Sequence, residues 1–286
     1  LMVGPPGTGK SMLARRLLTL MPLLTKTEAL ECAAVHSIIH GDFKKLIYER
    51  SFRSPHHTAS AVALVGGGSS PKPGEISLAH HGVLFLDELP EFQRAVLESL
   101  REPMEAGQIT ISRASCQMTY PCRFLCIAAM NPCPCGYYGD TTDRCHCSPQ
   151  QIQRYISKIS GPLLDRFDLH IAVEQENEVL LRGDHRSESS EKVYARVKKA
   201  EDWQCHRGFG WNGHLTDGKR KQVCCLSLED HDNLVRVMRD HHLSMRSYQK
   251  IIAVARTVAD LALSEQIQSD HLKEALGYRC LKQWRQ

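Results

Sequence analysis

Two apolar rhythms divide this chain of 286 residues. In its first part, short unbroken apolar runs alternate with helical patterns. Val83, Leu84, Phe85 and Leu86 form one such run, the mark of a strand covered on both faces, and a second strand is expected over 124–129. Leu13, Leu17, Leu18 and Met21 recur at helical spacing over 10–20 until Pro22 ends the run, and Leu30, Ala33, Ala34 and Ile38 share one side of a helix over 27–39. Both helices are expected to bury those stripes. Phe92, Val96, Leu97, Leu100 and Met104 predict a helix over 91–105, with Pro103 bending its last turn and Gly107 closing it. Residues 109–113 and 117–120 are β-prone and read as a hairpin. A helix from Ser148 to Ser160 and a strand over 169–173 complete this part.

From a polar linker at 183–190 onward the pattern is helical. Ser190 is placed to cap a helix over 191–203, residues 208–218 are glycine-rich, and Ser227, Leu228, Glu229 and Asp230 have the form of a capping box. Tyr248, Ile251, Ile252, Ala255, Val258, Ala259 and Ala262 keep i, i+3, i+4 spacing just after Arg246, and a last helix is expected over 269–279. The pattern predicts an α/β domain with a parallel sheet over 1–178 and a small helical domain over 179–286.

The chemistry starts at Gly4, Pro5, Pro6, Gly7, Thr8, Gly9, Lys10 and Ser11, which fit G-x-x-x-x-G-K-[ST] between an apolar start and a helix. Glycines let successive N–H groups face an anion, and the helix adds the positive end of its dipole. Lys10 would reach the β- and γ-phosphates of ATP, and Ser11 would give its hydroxyl to Mg²⁺. The run 83–86 delivers Asp87 and Glu88 at a strand end, where Asp87 would hold Mg²⁺ and Glu88 polarise the attacking water. Asn131 leaves the second strand, where its amide could orient the same water. Residues 48–74 keep neither rhythm and read as a long loop; its adjacent His56 and His57 cannot face one site from a regular element and are read as loop contacts, not ligands.

Cys133 and Cys135, then Cys145 and Cys147, bracket a short polar loop at 133–147. Four thiolates can close a tetrahedron around structural Zn²⁺, with His146 as an alternative ligand in the second pair. A net charge of +4 with no basic block makes any polyanion site local. No apolar run reaches the ~20 residues of a membrane span, so a soluble, cytoplasmic protein with no membrane partner is expected. Twelve cysteines in a chain of this size are read as thiols or ligands. Leu1 is not an initiator methionine, and the chain is read as a fragment.

These motifs, with Leu163 to Asp168 and Leu243 to Arg246, occur in one order that resembles an AAA+ ATPase of the magnesium-chelatase branch. Phe52-Arg53-Ser54-Pro55-His56-His57, Pro73-Gly74-Glu75-Ile76-Ser77-Leu78-Ala79-His80, Asp87-Glu88-Leu89-Pro90-Glu91-Phe92 and Asn131-Pro132-Cys133-Pro134-Cys135-Gly136 more closely resemble the ComM/YifB family of magnesium-chelatase-like competence proteins. The resemblance covers nearly the whole chain. It implies a three-layer P-loop domain with a helical lid, a homo-hexamer, and a DNA branch-migration helicase acting in natural transformation. It also implies Asn131 as sensor, Arg166 as arginine finger, Arg246 as second sensor, and a hairpin near Arg113 facing the pore. Two departures stand out: the family's N-terminal Lon-protease-like domain is absent, and 203–213 does not follow the usual charged helix. Two other readings compete. A chelatase motor would drive a metal into a porphyrin through partner subunits, but such subunits lack the cysteine cluster by resemblance; an ATP-dependent assembly switch without hydrolysis would lack Glu88, which is present.

Overall fold

The apolar runs become the centre of a parallel sheet. The structure, a computed structural model, describes residues 1–41, 46–68, 71–112, 116–139, 144–174, 188–241 and 243–279. Its strands are β1 (Met2–Val3), β2 (Phe52–Arg53), β3 (Gly66–Gly67), β4 (Lys72–Pro73), β5 (Val83–Leu86), β6 (Gln108–Ser112), β7 (Gln117–Pro121), β8 (Leu125–Met130) and β9 (Ile171–Ala172). Five of them form one sheet in the order β2-β5-β8-β1-β9. The register pairs Phe52 with Val83, Leu86 with Ala128 and Val3 with Met130, all parallel, so the loops after β1, β2, β5 and β8 leave from the same end of the sheet. Every residue of β5 is buried, as its unbroken apolar run requires. The β6–β7 hairpin pairs Ile109 with Tyr120 and Ile111 with Met118; Arg113, expected near its tip, lies outside the described residues.

The helices of this part are α1 (Lys10–Leu18), α2 (Lys26–His40), α3 (Ala61–Val65), α4 (Glu75–Leu78), α5 (Arg94–Ser99), α6 (Pro103–Ala106), α7 (Pro149–Ile156) and α8 (Gly161–Leu164). Three expectations are corrected. On α1 the buried residues are Lys10 and Ala14, while Leu13 and Leu17 are exposed; Ala14, Leu18 and Met21 pack with Met2, Val83, Phe85, Ile127 and Ala129. The phosphate loop sets the rotation of this helix, because Lys10 must turn inward, and a small alanine then meets the sheet. On α2 the buried residues are Ala29 and Val35, with Leu30 and Ile38 exposed; a Thr25–Glu28 capping box starts this helix. The helix expected over 91–105 is two short helices, because Pro103 has no N–H to continue the first and opens the second. Residues 48–74 also contain the strand β2 and the helix α3.

Contacts separate two compact units, Leu1–Phe167 with Ala172–His185, and Asp168–Ile171 with Arg186–Gln286. The second contains α9 (Ser190–His206), α10 (Asp217–Val223), α11 (Leu228–Asp240), α12 (Met245–Leu261) and α13 (Ser269–Gly277). Ser227 caps α11 by accepting the Asp230 N–H, and Leu234, Met238, Ile251, Ile252, Ala255, Ala259, Leu272 and Ala275 form its core. The linker expected at 183–190 falls mostly outside the described residues. No described helix is long and apolar enough to cross a membrane.

Candidate functional site

The loop at 4–11 is held by contacts that only its glycines permit. A side chain at Gly4 would begin 2.0 Å from the Val173 carbonyl, and Gly7 and Gly9 take φ of 80° and 77°, where an L side chain is strained. Gly4 N–H donates to Met130 O at 3.2 Å, tying the loop to β8. Lys10 runs back under the loop: its Nζ lies 2.8 Å from Gly4 O, 2.7 Å from Pro5 O, 3.4 Å from Thr8 Oγ1 and 3.3 Å from Asn131 Oδ1. Burial pushes the Lys10 pKa down, and the nearby Asp87 carboxylate opposes that shift. The ammonium is thus surrounded by neutral oxygens.

β5 and β8 bring the other groups to the same place. Ser11 Oγ donates to Asp87 Oδ2 at 2.7 Å, and Asp87 Oδ1 accepts the Glu88 N–H at 3.0 Å. These hard oxygen donors on neighbouring elements fit a Mg²⁺ ion accompanying a nucleotide. Glu88 sits at φ 51° and opens a buried turn over Leu89 and Pro90, so its side chain leaves the sheet end toward solvent. Its Oε2 lies 3.0 Å from His57 Nδ1, a contact between the loops after β2 and β5. His57 was readable only as a loop histidine; the signal for its partner is the register, since Arg53 pairs with Leu84 and each precedes its functional residue by four.

The four cysteines converge as well. Cys133 Sγ is 3.3 Å from Cys135 Sγ and 3.8 Å from Cys145 Sγ, Cys135 to Cys145 is 3.7 Å, and all four sulfurs lie within 4.8 Å of one another. A tetrahedron with Zn–S of about 2.3 Å needs S···S of about 3.8 Å. The cluster has the right size for Zn²⁺ with Cys147 in the fourth place and no need of His146. The sulfurs resist ionising together: the Tyr137 backbone N–H holds Cys135 down to about 6, while burial and the neighbouring sulfurs push Cys147 up to about 12, so a bound metal would have to displace the remaining protons. The knuckle abuts the phosphate loop, because a Cβ at Gly136 would meet Pro6 Cδ at 2.7 Å.

Arg166, just after α8, is tied within its own chain. Its Nε donates to Arg101 O at 2.8 Å, Nη1 to Pro162 O at 2.8 Å, and Nη2 meets Glu105 Oε2 at 2.6 Å. Arg246 is the second residue of α12, in the other unit. A second cluster, Glu31 with His80 and His81, has metal-ligating residue types but the wrong tautomer. His80 Nδ1 accepts the Arg123 N–H at 3.0 Å, so the neutral ring carries its proton on Nε2, which faces Glu31 Oε2 at 3.1 Å.

Comparison with known proteins agrees with this arrangement. The family model described as magnesium chelatase, subunit ChlI, matches residues 1–180, and the model for the C-terminal part of that subunit matches 187–279. The chain is 48% identical over 284 residues to the competence protein ComM of Haemophilus influenzae, which covers 98% of this chain and 55% of that protein. It is 47% identical over 283 residues to YifB of Salmonella typhimurium, again 98% of this chain and 56% of the relative. The chain therefore spans about half the length of these relatives. It is also 27% identical over 212 residues, 71% of this chain and 25% of the relative, to the DNA replication licensing factor Mcm6 of Drosophila pseudoobscura. With its phosphate loop, strand-end acids and helical C-terminal domain, the chain belongs to the magnesium chelatase ChlI family of AAA+ proteins, in the ComM/YifB group.

Proposed function

We propose that the chain is the motor part of an Mg-ATP-hydrolysing, hexameric DNA branch-migration helicase. The observation that carries the ATPase reading is the convergence at one sheet end of Lys10 Nζ, the Ser11–Asp87 hydrogen bond, Asn131 and Glu88. Lys10 exchanges its carbonyl partners for the β- and γ-phosphates, and the loop N–H groups add to the anion cradle. Ser11 and Asp87 would hold Mg²⁺, which when bound would neutralise charge on the phosphates. Glu88 takes the proton of the attacking water, and Asn131 orients that water. Arg166 serves the site of a neighbouring subunit, and Arg246 acts as the second sensor. The domain boundary near residue 178 separates motor from lid. The names of the relatives, a competence protein and a DNA replication licensing factor, support DNA as the partner.

Turnover of ATP by the full-length protein, with and without branched DNA, tests the reading. Stimulation that weakens steeply with salt is expected, because each neutralised phosphate releases condensed counterions. ATP hydrolysis indifferent to branched and duplex DNA at low salt would favour a chelatase-type motor. The cysteine cluster is proposed to hold one structural Zn²⁺ per chain. Elemental analysis of protein purified without added metal checks this, and four titratable thiols with no metal would refute it.

A further inference from the structure

The cysteine knuckle is mounted on the nucleotide site from two sides. Cys133 follows Asn131 by two residues and is fully buried, and Cys147 directly precedes Ser148, whose capping box with Gln151 starts α7. Between them Gly136 is buried at φ 89°, and its N–H donates to Cys133 O at 3.0 Å and to Cys133 Sγ at 3.2 Å. That turn carries Gly136 into contact with both halves of the site. A Cβ there would stand 2.7 Å from Pro6 Cδ, 3.3 Å from Pro6 Cγ and 3.8 Å from Asn131 Cγ. Asn131 Oδ1 in turn lies 3.3 Å from Lys10 Nζ. Gly136 thus fills the angle between the phosphate loop and the sensor amide, at a distance that no other residue type could keep.

The phosphate loop needs such a wall. Its start is tied to β8 through Gly4 N–H and its end is fixed by Lys10, while Gly7 and Gly9 between them keep the freedom of positive φ. A cradle of N–H groups binds an anion tightly only when those groups are already aligned, because ordering them on binding costs entropy. Within that span Pro6 is braced from outside the loop by Gly136. The brace takes its shape from the knuckle. With metal bound, Cys133 and Cys135 hold the turn closed; without it, four sulfurs gathered within 4.8 Å have no cation to keep them together. We infer that Gly136 is a positioning residue for the phosphate loop, so that metal occupancy of the knuckle and nucleotide affinity are linked. The inference rests on the ATPase reading and on the zinc assignment. Linkage is reciprocal: whatever factor zinc adds to the affinity for nucleotide, nucleotide adds to the affinity for zinc.

Equilibrium binding to the full-length protein tests the assignment, with a fluorescent, non-hydrolysable ATP analogue and Mg²⁺ as ligand and zinc content measured in each sample. Gly136→Ala is expected to keep one zinc per chain and to weaken nucleotide binding by about 10- to 100-fold. Gly139→Ala separates contact from backbone strain. Gly139 has φ 82°, and among the described residues nothing lies within 4 Å of a Cβ there, so its variant should bind within about twofold of the parent. Pro6→Ala removes the atom that the new Cβ meets, and in the Gly136→Ala background it is expected to restore affinity to within about threefold of Pro6→Ala alone. On the unaltered protein, the analogue should raise zinc affinity by about 5- to 100-fold in competition with a zinc-selective chelator, a readout independent of how any variant folds. Nucleotide affinity unchanged in Gly136→Ala overturns the inference, as does an equal loss in Gly139→Ala or a zinc affinity indifferent to the analogue. A parent protein that binds the analogue but holds no zinc would sink the zinc assignment and the linkage with it. One that holds zinc but binds no nucleotide would sink the ATPase reading, and the role of Gly136 with it.

Discussion

Lys10 in the first unit and Arg256 in the second are both buried cations, 9% and 1% exposed, yet they are solvated in opposite ways. Arg256 Nε donates to Asp260 Oδ1 at 3.0 Å, one turn along α12, and its other nitrogens donate to Glu265 O and Ser264 O. Asp260 is then shared with Arg207 at 2.6 Å and Asn212 at 2.7 Å. In that network two guanidiniums share one buried carboxylate, and the shared ion pair ties Arg207 to α12. Among the described residues Lys10 has no carboxylate within hydrogen-bonding distance, only two carbonyls, a hydroxyl and an amide. A buried cation solvated by neutral oxygens is the cheaper one to hand over to an arriving anion; one paired with a buried carboxylate is a fastening.

Arg166 lies between these cases and gives the largest expected effect. Its partners include two carbonyls, as those of Lys10 do, and the carboxylate of Glu105, which is exposed at the surface. The Arg166 side chain is 11% exposed and Glu105 55%, so water competes for the carboxylate more than for the guanidinium, and on the proposed reading Arg166 leaves this pair for a phosphoryl group of a neighbouring subunit. A cation supplied across an interface is worth about 10³–10⁵ in rate, and Arg166→Ala is expected to lose that much. Mixing Arg166→Ala with Lys10→Ala in full-length protein should recover turnover, because mixed rings contain interfaces where an intact loop meets an intact arginine. Mixed rings that stay inactive, or full activity in Arg166→Ala alone, would place Arg166 with the fastenings.

The two ends of the comparison separate by what each variant loses. Asp260→Ala leaves Arg256 and Arg207 without their carboxylate in the core of the second unit, and a loss of about 3–5 kcal/mol in stability is expected, read from urea unfolding. Lys10→Ala should abolish nucleotide binding and change stability by about 1 kcal/mol or less, since the carbonyls it leaves behind line a loop open to water. Large destabilisation by Lys10→Ala with nucleotide binding retained would erase the distinction.

How far the sequence revealed these sites depended on whether a residue acts through its neighbours in the chain or across the sheet. The phosphate loop, the buried strand at 83–86 and the stripe of Ile251, Ile252, Ala255 and Ala259 are local patterns, and each took the expected form. The convergence of the four cysteines was readable from their paired spacing. β2 was not, because two residues are too few to show a period, and with it went the contact of His57 with Glu88. The outward turn of Leu13 and Leu17 was hidden for a different reason: hydrophobic spacing finds a stripe, but the demand that Lys10 face inward decides which side of α1 meets the sheet. The Arg256–Asp260 pair has no signature in the sequence, since nothing local distinguishes a buried i, i+4 pair from a solvated one.

His80 shows a third way for a titratable group to enter the interior, which is to give up its charge. It is 3% exposed, and burial, helped by the neighbouring His81, pulls its pKa down to about 4 from an ordinary 6.5, against the opposing pull of Glu31. Protonation would put a hydrogen on Nδ1, the atom that now accepts the Arg123 N–H. The unfolded chain takes up this proton near pH 6.5 and the folded chain only near pH 4, so the unfolded state binds more protons in that window and stability falls as pH is lowered through it. A shift of this size corresponds to about 3 kcal/mol at most, and sharing of charge with His81 and Glu31 brings the expected loss to about 1–3 kcal/mol. His80→Gln keeps an acceptor for Arg123 and a donor for Glu31 but cannot titrate. Its urea midpoint should therefore decline less steeply than that of the parent between pH 6.5 and 4, and parallel declines in the two proteins would show that His80 is not the group responsible.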